Sequence, residues 1–138
     1  MVHRATIFLV VLAWFGTAHA APKAKECPIE DFSLDKIEDA ARNAPSCDKS
    51  LEVFRLCGAG ASSDVALGGI VTERCEADFL KRLSRRERRA YANAQNRCER
   101  KYRHETGSMY RSAEAYCVAE LARTYARRLA RRKGAVAQ

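Results

Sequence analysis

The sequence has 138 residues, with 25 basic side chains against 17 acidic ones, and six cysteines. A chain of this length predicts a single domain, because domains usually run to about 100–200 residues. No run of about 20 apolar residues lies beyond the extreme N-terminus, which excludes a polytopic membrane protein, and only three prolines and seven glycines exclude a collagenous chain.

The first twenty residues have the three parts of a secretory signal peptide. Met1–Arg4 is positively charged, Ala5–Phe15 is apolar, and Ala18-His19-Ala20 is an A-x-A cleavage site. The apolar stretch is too short for a stable transmembrane span. We therefore expect cleavage after Ala20, no transmembrane segment in the mature chain, and a periplasmic or secreted protein.

The predicted mature chain, residues 21–138, has a thin apolar core and six cysteines. Leu, Ile, Val and Phe make up 19 of its 118 residues, whereas highly charged chains tend to be disordered below about 20%. In an oxidising compartment, disulfides would stabilise it by about 2–4 kcal/mol each. Zinc binding is the competing interpretation, but no C-x2-C pair occurs. We therefore expect no metal or cofactor, and structural disulfides among Cys27, Cys47, Cys57, Cys75, Cys98 and Cys117.

Helical periodicity dominates the mature sequence, and no alternating run predicts a strand. The N-terminal segment 21–45 is predicted to hold a short first helix between Pro28 and Pro45. Ser46 is suited to cap a second helix, which would end before Gly58. The apolar face of the first helix would consist of Phe32, Ile37, Ala40 and Ala41.

A third helix is predicted to start near Asp64. The pair Gly68-Gly69 lowers the helix propensity of its first two turns. Its apolar residues are spaced four apart in one row, which contains Leu67, Val71, Cys75, Phe79 and Leu83.

The last two helices are predicted to form a hairpin. Ser84-Arg85-Arg86-Glu87 fits a capping box, which opens a fourth helix that runs to about His104. Gly107-Ser108 interrupts the helical pattern, and a fifth helix follows over residues 109–132.

The hairpin favours one disulfide, Cys98–Cys117, because both cysteines would lie at comparable height on facing apolar stripes. The other four cysteines admit three pairings, which stay open: 27–47 with 57–75, 27–57 with 47–75, or 27–75 with 47–57. The predicted fold is a small all-α, disulfide-stabilised bundle of four to five helices with an antiparallel C-terminal hairpin. Its main helical domain would span residues 46–133, followed by a disordered tail at 134–138.

Several short motifs follow one another along residues 46–132. An early cysteine pair precedes a helix that begins with L-S-x-x-x-R. This helix is followed by a further cysteine, a Gly-Ser turn and a closing helix that contains C-x-x-x-L. The residues concerned are Cys47, Cys57, Leu83-Ser84-Arg85-Arg86-Glu87-Arg88, Gln95-Asn96, Cys98, Gly107-Ser108, Cys117, Leu121 and Leu129. This order of motifs resembles the LprI-type family of small exported bacterial proteins, also described as lysozyme-inhibitor-like. The Trp and the Arg-Asp pair typical of that family are absent.

The resemblance implies a compact, disulfide-linked helical domain in the cell envelope and, as in some members, inhibition of lysozyme. It assigns no inhibitory residue to this chain. We therefore expect a non-catalytic exported protein whose partner is another protein, with lysozyme as the first candidate.

The two halves of the mature chain differ in charge. Residues 21–78, the acidic half, carry 7 basic and 12 acidic side chains, whereas residues 79–138, the basic half, carry 17 and 5. Acidic residues around the first helix could contact a basic protein, although a solvated helix face is the simpler interpretation. They are Glu30, Asp31, Asp35, Glu38 and Asp39.

The basic half supports an alternative function, that of a structural or stress-related envelope factor which docks on anionic surfaces such as lipid headgroups, lipopolysaccharide or wall polymers. Each basic side chain close to an anionic membrane contributes about 1 kcal/mol. Solvated helix faces, or cations that stabilise a helix C-terminus, are the simpler interpretation. The candidate contacts are Arg85, Arg86, Arg88, Arg89, Arg127, Arg128, Arg131 and Arg132.

No enzymatic function is predicted, and we expect no catalytic residue. The mature chain has a single histidine, His104, near a predicted helix end. Oxidised cysteines offer no thiolate nucleophile, and the sequence contains neither a phosphate-binding loop nor an H-E-x-x-H motif. Export and the lack of a recognised binding fold also argue against a nucleic-acid partner.

Overall fold

The computed structural model describes the backbone of residues 26–136 and the side chains of residues 26–132. This part of the chain contains five α-helices and no strand, so the predicted all-α fold is confirmed. The predicted signal peptide, residues 1–20, lies outside the described residues. The helices are α1 (Leu34–Arg42), α2 (Cys47–Cys57), α3 (Ser63–Ala77), α4 (Arg85–Tyr102) and α5 (Ser108–Val136).

Side chains form hydrogen bonds with backbone N–H and carbonyl groups at the turn between α1 and α2. Ser46 is extended at φ −150°, and its hydroxyl accepts a hydrogen bond from the Lys49 N–H at 3.3 Å, so it is the predicted cap. The buried Ser50 hydroxyl donates to the Ala41 carbonyl in α1 at 2.8 Å. From α3, Arg74 donates to two carbonyls of the turn. These bonds hold α1 on α2 and α3.

The sequence predicts that Phe32 belongs to the first helix, but in the structure Phe32 precedes this helix. Its φ of +48° places it in the left-handed region, and its N–H donates to the Ile29 carbonyl at 3.1 Å in a turn. The turn directs the ring to solvent, whereas Ile37 and Ala41 form the buried side of α1.

The central helix α3 packs against α1, α2 and α5 and ends earlier than its apolar row predicts. It stops at Ala77, and a 3-10 turn over Leu80–Arg82 follows. Phe79 and Leu83 leave the helix but stay buried. Seven residues after the end of α3, Ser84 is extended at ψ 164° and caps α4.

The helices α4 and α5 form the predicted antiparallel hairpin. The capping box is present, because the Ser84 N–H donates to the Glu87 carboxylate at 2.9 Å and the Glu87 N–H donates to the Ser84 hydroxyl at 3.2 Å. Gly107, at φ +108°, makes the turn between the helices, a conformation that favours glycine. The predicted Cys98–Cys117 bond joins the two helices.

An aromatic cluster holds the hairpin against the end of α3. The Phe79 and Tyr91 rings meet edge to face with centroids 5.2 Å apart, and the Tyr91 and Tyr125 centroids are 4.8 Å apart. The Tyr91 hydroxyl donates to the Glu76 carboxylate at 2.8 Å. Burial and this hydrogen bond raise the pKa of Tyr91 above its ordinary value, so the hydroxyl remains a donor.

The helix α5 is longer than predicted and has one buried stripe. It runs to Val136, so the structure places residues 134–136 in the helix where the sequence predicts a tail. A single glycine, Gly134, lowers helix stability by only about 1 kcal/mol and does not end it. The helix contacts α2, α3 and α4, and its buried residues, which follow one another at steps of seven, three and seven, lie on one side. They are Ser112, Ala119, Ala122 and Leu129.

The disulfides divide the molecule at the charge boundary found in the sequence. Of the three open pairings, the structure has 27–57 with 47–75, and none of the described cysteines is free. Two bonds therefore lie within the acidic half and one within the basic half, so the halves are joined by packing and ion pairs. The bonds are Cys27–Cys57, Cys47–Cys75 and Cys98–Cys117.

Candidate functional site

The outer side of α4 carries a continuous row of arginines and asparagines. The helix buries Tyr91, Ala94 and Cys98, so residues on the opposite side face solvent. Six arginines and two asparagines there are exposed, and the exposed Ala92 and Glu99 lie beside them. At 1.5 Å per residue the row is about 27 Å long. We call it the α4 stripe, and it consists of Arg85, Arg86, Arg89, Asn93, Asn96, Arg97, Arg100 and Arg103.

The α4 stripe has almost no charge compensation. Within the part of the chain that the structure describes, its only ion pair joins Arg103 to Glu99 at 3.5 Å. Five further guanidinium groups project from one rigid helix without a carboxylate partner there. Planar guanidinium groups donate paired hydrogen bonds to phosphate and carboxylate oxygens, so the stripe is suited to an anionic partner.

The structure separates the predicted arginines into two groups. Arg85, Arg86 and Arg89 belong to the α4 stripe, and Arg131 is also exposed. The remaining four already have partners within the molecule. Arg88 donates to the Leu83 carbonyl at 3.2 Å, and the Arg128 guanidinium lies 5.8 Å from the Tyr125 ring centroid. Arg127 and Arg132 each form an ion pair.

Ion pairs join the acidic half to the basic half, and they neutralise part of the charge of each. The Asp48 carboxylate of α2 accepts hydrogen bonds from Arg123 Nε at 2.6 Å and from Arg127 Nε at 2.9 Å, both on α5. Partial burial would raise the pKa of Asp48, but these two bonds outweigh burial and hold it below its ordinary value. Arg55 and Glu120 form a second ion pair between α2 and α5. Arg127 therefore joins the halves rather than facing a ligand.

Arg132 reaches back to the start of α4, where it pairs with Glu87 at 2.9 Å. The pKa of Glu87 is lowered to about 2, first by the hydrogen bond from the Ser84 backbone N–H and then by the Arg132 guanidinium. The end of α5 is thereby attached to the capping box of α4.

Replacing Glu87 by glutamine should remove a pH-dependent part of the stability. Because its folded pKa lies below the unfolded value, the Glu87 carboxylate stabilises the fold above about pH 4.5 and loses this effect as the pH falls towards 2. We expect the difference in free energy of unfolding between the wild type and Glu87→Gln to be constant near neutral pH and to shrink below pH 4.5. Urea unfolding between pH 3 and 7 measures it. A difference that does not change with pH would contradict the assignment.

The acidic residues around α1 form a separate surface. Asp31 pairs with Lys36 at 2.5 Å, and this hydrogen bond, with one from the Ser33 N–H, lowers the pKa of Asp31. Glu30, Asp35 and Asp39 are exposed, and the last of the five predicted residues, Glu38, is half-buried. The α1 surface therefore has the negative charge that a basic protein would meet.

No family model, curated protein or solved structure matches this chain. The resemblance to LprI-type proteins stays a prediction that depends on the motifs named above. The function is therefore inferred from the surfaces of the molecule.

The described residues hold no group of three or more His, Cys, Asp or Glu side chains able to bind a metal ion. His104 is exposed in the turn of the hairpin, and the cysteines are all in disulfides. None of the described helices is long and apolar enough to cross a membrane. Two open grooves have a volume of about 500 Å³ each.

Sequence reasoning missed Arg97, Arg100 and Arg103, which complete the arginines of the α4 stripe. The capping box at Ser84 sets the register of α4, and steps of three and four residues from Arg86 then reach Arg89, Arg97 and Arg100. That periodicity is present in the sequence. The prediction followed runs of arginines that are close together in the sequence, not their helical spacing. It therefore named only arginines near the two ends of the basic half.

Proposed function

We propose that this chain is a non-catalytic exported protein that binds anionic surfaces of the cell envelope through its basic half. The observation that carries the proposal is the α4 stripe, in which five arginines have no carboxylate partner among the described residues. Guanidinium groups suit the phosphates of lipid headgroups, lipopolysaccharide and wall polymers. The disulfide beneath the stripe, Cys98–Cys117, keeps it in one orientation.

Sedimentation with lipid vesicles tests this function. We expect oxidised residues 21–138, which contain all the described elements and all six cysteines, to sediment with vesicles of phosphatidylglycerol and phosphatidylcholine at low salt. Binding should be lost in about 0.5 M salt, because ions screen the attraction. Equal binding to vesicles of phosphatidylcholine alone, or no binding to either, would contradict the proposal.

A pair of charge-matched variants locates the binding surface. Replacing Arg86, Arg89, Arg97 and Arg100 by glutamine should weaken vesicle binding by at least about 100-fold, since each arginine contributes roughly fivefold. The matched control removes four cations outside the stripe. It replaces Lys36, Arg42, Lys49 and Lys81 by glutamine and should weaken binding far less.

Inhibition of lysozyme is the second candidate function, and the acidic α1 surface favours it. Asp35 and Asp39 project from the outer side of α1, where they could contact a basic enzyme. The resemblance to LprI-type proteins points to the same partner.

A lysozyme turnover assay with and without the oxidised protein tests this candidate. We expect inhibition that weakens when Asp35 and Asp39 are both replaced by asparagine. The control, Glu73→Gln with Glu99→Gln, removes two carboxylates elsewhere and should inhibit as the wild type does. No inhibition of several lysozyme types at large molar excess would exclude this function.

A further inference from the structure

We infer that the exposed Phe32, with its apolar neighbours, is the docking surface for a basic protein partner that offers an apolar cleft. The inference rests on the second candidate function, whose contact surface it names. It is independent of the α4 stripe and of vesicle binding.

All the large apolar side chains that are exposed among the described residues lie around one loop, residues 58–62. Phe32 and Leu34 line a small pocket together with Ala59 of this loop. Large exposed apolar side chains that lie close together are typical of interaction sites, whereas single ones are common on any protein surface. The four side chains are Phe32, Leu34, Val65 and Met109, with exposed fractions of 61%, 55%, 48% and 63%.

Hydrogen bonds to the loop bring Val65 and Met109 to the same end of the molecule. The buried Asp64 carboxylate, next to Val65, accepts from the Gly60 N–H at 2.9 Å and from the Ser112 hydroxyl at 2.6 Å. The hydroxyl of Ser108, which precedes Met109, donates to the Gly60 carbonyl at 3.5 Å. Loop 58–62 is thereby fixed between α3 and α5.

The backbone at Phe32 is strained in a way that its own packing does not explain. A φ of +48° is unfavourable for a bulky residue, whereas glycine adopts it readily. An aromatic side chain at this position is mostly exposed and therefore contributes little to the core. Strained backbone clusters at active sites, ligand-binding sites and switch regions, and aromatic anchors dominate the energetics of many protein interfaces.

The charge around the patch decides the kind of partner. Glu30, Asp31 and Asp35 lie within three residues of Phe32, and of these only Asp31 has an ion pair among the described residues, with Lys36. An anionic lipid surface would be repelled here, whereas a basic protein would be attracted. A second copy of this chain could offer its α4 stripe, but the stripe has no apolar side chain to cover Phe32. The patch therefore fits a basic protein with an apolar cleft.

Phe32→Gly separates binding from folding. Glycine suits the left-handed backbone, so the variant should unfold at the same urea concentration as the wild type or at a higher one. With c-type, g-type and i-type lysozymes as probes in titration calorimetry, we expect the wild type to bind at least one. Phe32→Gly should weaken that binding by at least about tenfold, as the loss of a central aromatic anchor does.

The remaining outcomes are decisive. Binding to none of the three lysozymes, or equal binding by Phe32→Gly and the wild type, overturns the inference. Loss of vesicle binding in Phe32→Gly also overturns it, because the patch would then contact lipid. The inference is likewise overturned if light scattering shows that the wild type is a dimer and that Phe32→Gly is a monomer. If vesicle binding is intact and lysozyme binding is absent, the anionic-surface function stands while this inference fails.

Discussion

Replacing Cys47 and Cys75 together by alanine is expected to lower the free energy of unfolding by about 3–4 kcal/mol. The bond closes a loop with a sequence separation of 28 residues, and its loss gives the unfolded chain more conformational freedom. Both cysteines are buried in the core, so packing is lost as well. Because small domains have only about 5–15 kcal/mol of stability, the variant should be partly unfolded at moderate temperature. Urea unfolding followed by circular dichroism measures the change.

The matched variant replaces Cys98 and Cys117 by alanine. Its loop is shorter, with a sequence separation of 19 residues, and Cys117 is only half-buried. We expect a loss of about 3 kcal/mol, which leaves this variant more stable than the one without Cys47–Cys75. An unchanged unfolding midpoint in either variant would show that its disulfide does not form in the protein.

Gly68→Ala should destabilise the protein by about 1–3 kcal/mol, although alanine is the better helix former. A β-carbon at Gly68 would lie 2.7 Å from the Ala115 Cβ of α5 and 3.0 Å from the Phe54 ring. The Ala115 methyl group cannot rotate away, so α3 and α5 would have to separate. The packing of these two helices joins the acidic half to the basic half, so the whole fold should be affected.

The adjacent glycine provides the control. A β-carbon at Gly69 meets nothing within 4 Å, so Gly69→Ala should stabilise the protein by about 0.5–1 kcal/mol through helix propensity alone. Thermal unfolding of both variants should therefore shift the midpoint in opposite directions. A shift in the same direction for both would contradict the close approach of α3 and α5.

Local signals in the sequence were sufficient for most of the helix boundaries. The caps at Ser46 and Ser84 and the turn at Gly107 depend on residues within four positions of one another, which a single sequence displays. The Cys98–Cys117 bond was predictable for the same reason, because a hairpin of two adjacent helices sets its geometry.

Features that depend on how distant helices meet were not predictable. The pairing of Cys27 with Cys57 requires the position of the segment before α1 on α2, and the Asp48–Arg127 contact requires the packing of α2 on α5. Phe32 was assigned to a helix face, since nothing in the sequence indicates that its backbone is left-handed. The α4 stripe was predicted only in part, because three of its arginines form a run at the start of the helix, whereas Arg97, Arg100 and Arg103 are spread along the sequence.

The order of the disulfides along the chain affects how the protein can mature. Cys27–Cys57 and Cys47–Cys75 interleave, so a chain that enters an oxidising compartment N-terminus first presents Cys27 and Cys47 before either native partner. Oxidation in order of appearance joins the wrong pair, which thiol–disulfide exchange must then correct. Cys98–Cys117 joins consecutive cysteines and has no such difficulty. Maturation of the acidic half should therefore depend on a disulfide isomerase, whereas that of the hairpin should need only an oxidant.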